Sequence, residues 1–199
     1  MSTSASPTTM TATEHPVDFC LHLAAQIRQR KKTLSYKPLS PSSATAWIAS
    51  GGKAAIASPY GRVGDLLWMR EPFGIRPGGA VDYPAARAST RQGGGFTAPA
   101  VRPLYRPADM TRAQASVILL IDSVSIVRLA DDLTEDRALA AGMDPRGDRT
   151  HRAEFIAQWD EAYRGPQTFA NNQPVWRLTF SIQAQASGQA SGDDKAATR

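Results

Sequence analysis

The chain has 199 residues, enough to bury a core without disulfides or metal, and one domain is expected at residues 16–183 between polar tails at 1–15 and 184–199. Its single cysteine, Cys20, excludes an intramolecular disulfide or a zinc site built on cysteines, and reads as a small buried apolar residue. The net charge of +5 is uneven: residues 19–108 hold 13 bases against 3 acids, residues 109–199 hold 10 against 13, and this asymmetry points to a polyanionic partner.

Residues 1–15 are rich in Ser, Thr, Ala and Pro and show neither a basic n-region nor an apolar h-region. The longest apolar run, "SVILLI", is too short to cross a bilayer, so no membrane partner is expected and the protein reads as cytoplasmic. In "HPVDFCLHLAAQIRQR" the positions Phe19, Cys20, Leu23, Ala24 and Ile27 form a helical stripe. They predict a helix over 17–30, with arginines in its last turn suited to the negative end of the dipole. That helix runs into "RKKTLSYKP", where Arg30, Lys31, Lys32 and Lys37 surround Thr33 and Ser35 with no acid nearby.

Weak strand signals follow at "TAWIAS" and "KAAIAS", and a stronger one at "GDLLWMRE", which starts from a Gly-Asp turn and alternates. Residues 74–103 are dense in Gly, Pro and Arg and read as a long, mobile, basic loop inserted into the domain. "ASVILLIDSVSIVRL" is β-branched over its length and predicts a strand. Thr134 is placed to cap a short helix that Gly142 stops. Phe155, Ile156, Trp159 and Tyr163 recur at helical spacing before Gly165-Pro166 and read as core rather than as a ligand cage. In "PVWRLTFSI" the residues Trp176, Leu178, Phe180 and Ile182 share one face. The sum is an α+β chain: a small mixed sheet or closed barrel with helices around it. His15, His22 and His151 form no convincing ligand set, so neither a metal nor a cofactor is expected.

The order of these pieces resembles the ASCH domain, a branch of the PUA-like superfamily, and especially ASCH-type proteins of phages and prophages. The resemblance covers roughly residues 17–182 apart from the insertion. Arg30, Lys31, Lys32, Thr33, Ser35 and Lys37 match a family pattern like G-R-K-T-x-T-R-R, with arginine in place of glycine and Tyr36 in place of a basic residue. Gly64, Asp65, Leu67, Trp68, Arg70 and Glu71 match G-D-x-L-W-V-R-E. Arg112, Ala115, Ser116 and Ile118 follow P-R-W-A-S-R-I after a one-residue insertion, with Val117 where the family has arginine.

The resemblance implies a PUA-like small mixed β-barrel with flanking helices and RNA binding, ahead of DNA, in a basic cleft after the first helix. The residues expected to contact nucleic acid are Arg28, Arg30, Lys31, Lys32, Thr33 and Lys37, joined by Arg62, Trp68 and Arg70. Trp68 is read first as packing, and Glu71 as the partner of a neighbouring arginine.

Some relatives are instead amidohydrolases of N4-acetylcytidine or ribonucleases, built on a lysine, a hydroxyl nucleophile and a glutamate. By position these become Lys32, Ser35 and Ala141. Alanine neither takes a proton from a nucleophile nor gives one to a leaving amine, and loss of such a group costs about 10² to 10⁴ in rate. Lys32 would serve as base only if burial or cationic neighbours lowered its pKa from about 10.4. Binding is therefore expected ahead of catalysis. A third reading is a phage morphogenesis or host-interaction protein that meets phage or host partners through the long loop.

Overall fold

The computed structural model describes residues 12–89 and 103–185. In chain order they form β1 (Glu14–Asp18), α1 (Leu21–Arg28), β2 (Leu34–Pro38), α2 (Pro41–Ala49), β3 (Leu66–Arg70), β4 (Gly74–Ile75), β5 (Val81–Asp82), α3 (Pro84–Ser89), β6 (Val117–Arg128), α4 (Leu129–Asp132), α5 (Glu135–Ala140), α6 (His151–Ala162) and β7 (Pro174–Gln185). The fold is α+β. Five strands make one sheet in the order β1-β3-β6-β7-β2, parallel between β1 and β3 and antiparallel elsewhere.

The long β6–β7 ribbon carries the architecture. Register shifts at Ile118/Leu119 and at Ile121/Ser123 bend and twist it, as irregularities in an antiparallel pair do. One apolar cluster then packs α1 against β3, β6 and β7 through Ile27, Leu67, Met69, Leu119, Ile121 and Phe180. A second joins β2 to α4, α5 and α6 through Leu34, Tyr36, Leu129, Leu133, Phe155 and Trp159. The expected barrel does not close by hydrogen bonds, because β1 and β2 remain the two edges of the sheet. Curling nevertheless brings the edges together: Lys37 Nζ on β2 reaches the Asp18 carbonyl on β1 at 3.1 Å.

Several local expectations are corrected. Residues 14–18, read partly as tail and partly as helix, form β1, because pairing with β3 and burial of Val17 outweigh the helical stripe. The helix accordingly starts at Leu21 and ends at Arg28. "TAWIAS" lies in α2 and at its C-cap, not in a strand. Ser40 caps that helix by accepting from the Ser43 amide at 3.2 Å, with Pro41 in its first turn. "KAAIAS" forms no regular element. Part of the expected loop is folded: Asp82 is buried at the end of the β4–β5 hairpin, held by Arg76 Nη2 at 2.9 Å and by Arg87, and α3 packs on α1. Residues 90–102 of that loop, and the tails at 1–11 and 186–199, lie outside the described residues. No helix among the described residues is long and apolar enough to cross a membrane.

Candidate functional site

The turn after α1 decides where Lys32 goes. Arg30 adopts a left-handed conformation with φ of 59°, and the amides of Arg30 and Lys31 fold back onto the carbonyls of Ile27 and Gln26 at 2.8 and 2.9 Å. Arg30 and Lys31 stay exposed, while Lys32 turns inward and is only 4% exposed. Its Nζ donates to the carbonyls of Leu34 at 2.7 Å and Ala141 at 2.8 Å, and lies 5.7 Å from the centroid of Phe19. Burial strips water from this ammonium and the nearby charge of Lys37 opposes it further, so its pKa falls to about 7; the influence of Cys20 runs the other way.

Ala141 and Gly142 end α5 against the same side chain. Gly142 has φ of +80°, and a Cβ there would stand 3.0 Å from Lys32 Cβ and 3.2 Å from Gln26 Cβ. Only glycine suits both the conformation and the approach. Thr33 closes the seam, donating its amide to Ala140 and accepting from Phe180, both at 2.9 Å.

Beyond Lys32 opens a cavity of about 600 Å³. Ser35 and Lys37, two apart on β2, line one side. Ser35 is 5% exposed, and its hydroxyl forms no hydrogen bond among the described residues. Burial lowers the pKa of Lys37, whose Nζ sits 5.1 Å over Phe19. The opposite wall is α6, whose N-terminus is fixed by Thr150 and by the Glu135 carboxylate, which accepts from the His151 and Arg152 amides. Phe155, Trp159 and Tyr163 form its aromatic part: Phe155 and Trp159 stack at 5.7 Å, and Trp159 meets Tyr163 at 4.4 Å. Glu154, 1% exposed, lines the same wall and accepts from Gln158 at 2.9 Å and Arg149 at 3.2 Å, with Arg146 at 3.7 Å. These partners, Gln158 foremost, hold its carboxyl below the ordinary glutamate range.

Of the residues expected at the site, Lys32, Ser35, Lys37 and Ala141 line this one cavity. Arg28 does not: it is 6% exposed, forms a buried ion pair with Glu71 and donates to Ser116 Oγ at 2.6 Å. Arg30, Lys31 and Thr33 are exposed on the turn before it. Arg62 is exposed, 3.9 Å from Asp65. Trp68 and Arg70 are half-buried neighbours on β3, their cation and ring 5.6 Å apart, and Arg70 is paired with Asp18. Cys20, expected buried, is exposed, because the helix begins one residue after it and it occupies the cap position. Arg146, Arg149, Glu154 and Gln158 are site residues that sequence reasoning misses; the basic run "RGDRTHR" just before an aromatic helix is the signal that marks them. No carboxylate lies within hydrogen-bonding distance of Lys32 Nζ or the Ser35 hydroxyl among the described residues. Nor does any group of three His, Cys, Asp or Glu there form a metal site.

No protein-family model matches the chain. No curated protein matches it either. Among solved structures it is similar to the ASCH domain from Lactobacillus crispatus JV V101, with 17% sequence identity, coverage of 85% of this chain and 79% of that one, and a TM-score of 0.37.

Proposed function

We propose that the protein binds nucleic acid, RNA before DNA, by seating one unstacked nucleotide in the cavity between β2 and α6. The observation that carries this reading is the convergence of Lys32, Lys37, Arg146 and Arg149, from two distant stretches of chain, on a single hollow of about 600 Å³. Its aromatic wall suits a base and its cationic rim suits phosphate. A pocket that admits a single base favours single strands, whose bases are free to leave the stack. The motif resemblance adds the rest of the reading: a phage- or prophage-encoded module at work in a bacterial cytoplasm. The test is fluorescence anisotropy of labelled single-stranded RNA and duplex DNA at two salt concentrations, with Lys37→Gln beside the parent chain. Salt-sensitive binding that favours RNA and weakens in the variant is the expected result. No binding at low salt overturns the proposal.

A second reading has one observation in its favour. Burial lowers the pKa of Lys32 to about 7, so near neutral pH a large fraction of it is free amine, and the Ser35 hydroxyl in the same cavity has no hydrogen-bond partner among the described residues. A lysine and serine pair of this kind is one way to activate a hydroxyl nucleophile. Release of acetate from N4-acetylcytidine, abolished in Ser35→Ala, would make the cavity a hydrolase site.

A further inference from the structure

We propose that the hollow next to the cavity, between α2 and the turn after α6, is a second nucleotide site, so that two consecutive nucleotides of one strand sit on either side of Trp159. The assignment of RNA rests on the binding reading above, which it extends from one nucleotide to two.

The second hollow has a volume of about 580 Å³. Trp159 lines both hollows and so forms the partition between them. Lys37 and Pro38, consecutive on β2, line one hollow each, and so do Tyr163 and Arg164 at the end of α6. Adjacent Cα atoms are only about 3.8 Å apart, so the hollows adjoin along both walls. A strand seated in one therefore reaches the other within a single nucleotide step.

The lining of the second hollow suits a base. Its floor is apolar, with Leu39 and Val175 both buried. Ile48 forms part of the α2 wall and is 44% exposed, on a helix that buries none of its residues. A flat ring against that wall would cover apolar surface that the fold itself leaves open. Gln167 and Gln173 supply polar groups: both are half-buried, and neither side chain makes a hydrogen bond among the described residues. Each amide offers a donor and an acceptor, which is what recognition of a base edge requires. The far lip is pinned in place. Trp159 Nε1 donates to the Gln167 carbonyl at 2.7 Å, and the Phe169 amide donates to the Asp160 carboxylate at 2.7 Å.

Charge separates nucleic acid from the other class of ligand that such a groove takes. Prolines on both lips, Pro41 and Pro166, beside a tryptophan also suit an extended proline-rich peptide. No acid lines the hollow, however, and the exposed Arg164 has no partner for its guanidinium among the described residues. With Lys37 of the first cavity next in sequence to Pro38, the local field favours a polyanion, and Arg164 is free to take a phosphate.

The test is isothermal titration calorimetry of the full chain at low salt, comparing each ribonucleoside 5′-monophosphate with its homodinucleotide. The parent, Ile48→Glu and Arg164→Gln are measured side by side. Both substitutions fall at exposed positions, and melting curves check that the variants fold. The tightest dinucleotide should bind the parent about tenfold or more better than its monophosphate. That ratio should fall to about threefold or less in Ile48→Glu, where a carboxylate enters the hollow, and in Arg164→Gln, where the phosphate loses its partner. A parent ratio near one, or a high ratio that either variant keeps, overturns the second site and leaves the single-nucleotide reading standing. Decaproline that binds the parent but not Ile48→Glu, and that the dinucleotide does not displace, gives the hollow to a peptide and overturns the nucleotide assignment. A folded parent that binds no nucleotide at all overturns the binding reading, and the second site with it.

Discussion

The ε-amino group of Lys32 donates to the main-chain oxygen of Ala141 at 2.8 Å, at the position where the family resemblance implies a glutamate side chain. A carbonyl accepts the amine's hydrogen bond but brings no full negative charge, so nothing at this contact offsets the burial of an ammonium. The consequence is the low pKa of Lys32, about 7.

That value predicts two pH effects of opposite sign. Between about pH 7 and 10.5 the unfolded chain keeps the Lys32 proton and the folded chain has released it, so stability should rise with pH in this window by roughly 1 kcal/mol per unit. Lys37, also lowered by burial, adds in the same direction. Urea unfolding of the parent chain and of Lys32→Met at pH 7, 8 and 9 measures the difference in slope. Nucleic-acid affinity should instead strengthen as pH falls from 8 to 6, because Lys32 gains its charge. Equal stability slopes in the two chains would mean that Lys32 is charged throughout.

Gly142 is the second constraint on that amine. Gly142→Ala places a methyl group 3.0 Å from Lys32 Cβ in a backbone conformation that L residues rarely adopt. Strain of this kind costs about 1–3 kcal/mol, and displacement of a packed neighbour adds a similar amount. The variant should unfold about 2–4 kcal/mol more easily in urea. Gly147→Ala makes the comparison: it also has a positive φ, of +61°, but open space around it, so the conformational part alone should appear. Matching losses in the two variants would show that the approach to Lys32 is not tight.

The sequence made some of this legible and hid the rest for physical reasons. β3, β6 and β7 announce themselves through alternation or β-branched runs, α5 through the Thr134 cap, and α6 through the helical spacing of Phe155, Ile156, Trp159 and Tyr163, because these signals are local. β1 and β2 are five-residue edge strands defined by distant partners, Glu14 with Leu66 and Leu34 with Thr179, which no window of sequence contains. α2 buries none of its residues, so its apolar content misled and the Ser40-Pro41 start was the better guide. Lys32, Ser35 and Ala141 were reachable through motif order. Arg146, Arg149 and Glu154 were not, because the docking of α6 on α5 brings them to a site more than a hundred positions away in sequence.

Arg28 illustrates a charge whose meaning changes with burial. Its guanidinium and the Glu71 carboxylate are each 1% exposed and face one another in the core beside Ser116. Removal of one partner from a buried pair strands the other charge and costs about 3–5 kcal/mol. Glu71→Gln should therefore lower stability by an amount in that range in urea unfolding, and at matched folded concentration its RNA affinity should keep the parent's salt dependence. A steeper salt dependence with unchanged stability would instead move Arg28 from the core to the phosphate surface, freed there by the loss of its partner.

The last prediction concerns Arg146 and Arg149, whose side chains are 82% and 55% exposed although both lean on the buried Glu154. Exposure leaves each free to exchange that carboxylate for a phosphate. Either single alanine substitution leaves Glu154 with Gln158 and the other arginine, so the fold should hold and melting curves should overlay within a few degrees. An arginine that pairs with a phosphate should, once replaced, flatten the plot of log affinity against log salt by about one unit and weaken RNA binding without regard to sequence. Anisotropy titrations of Arg146→Ala and Arg149→Ala at four salt concentrations read this slope directly. If both variants keep the parent slope, these arginines serve Glu154 alone, and the nucleic acid does not enter the cavity from the α6 side.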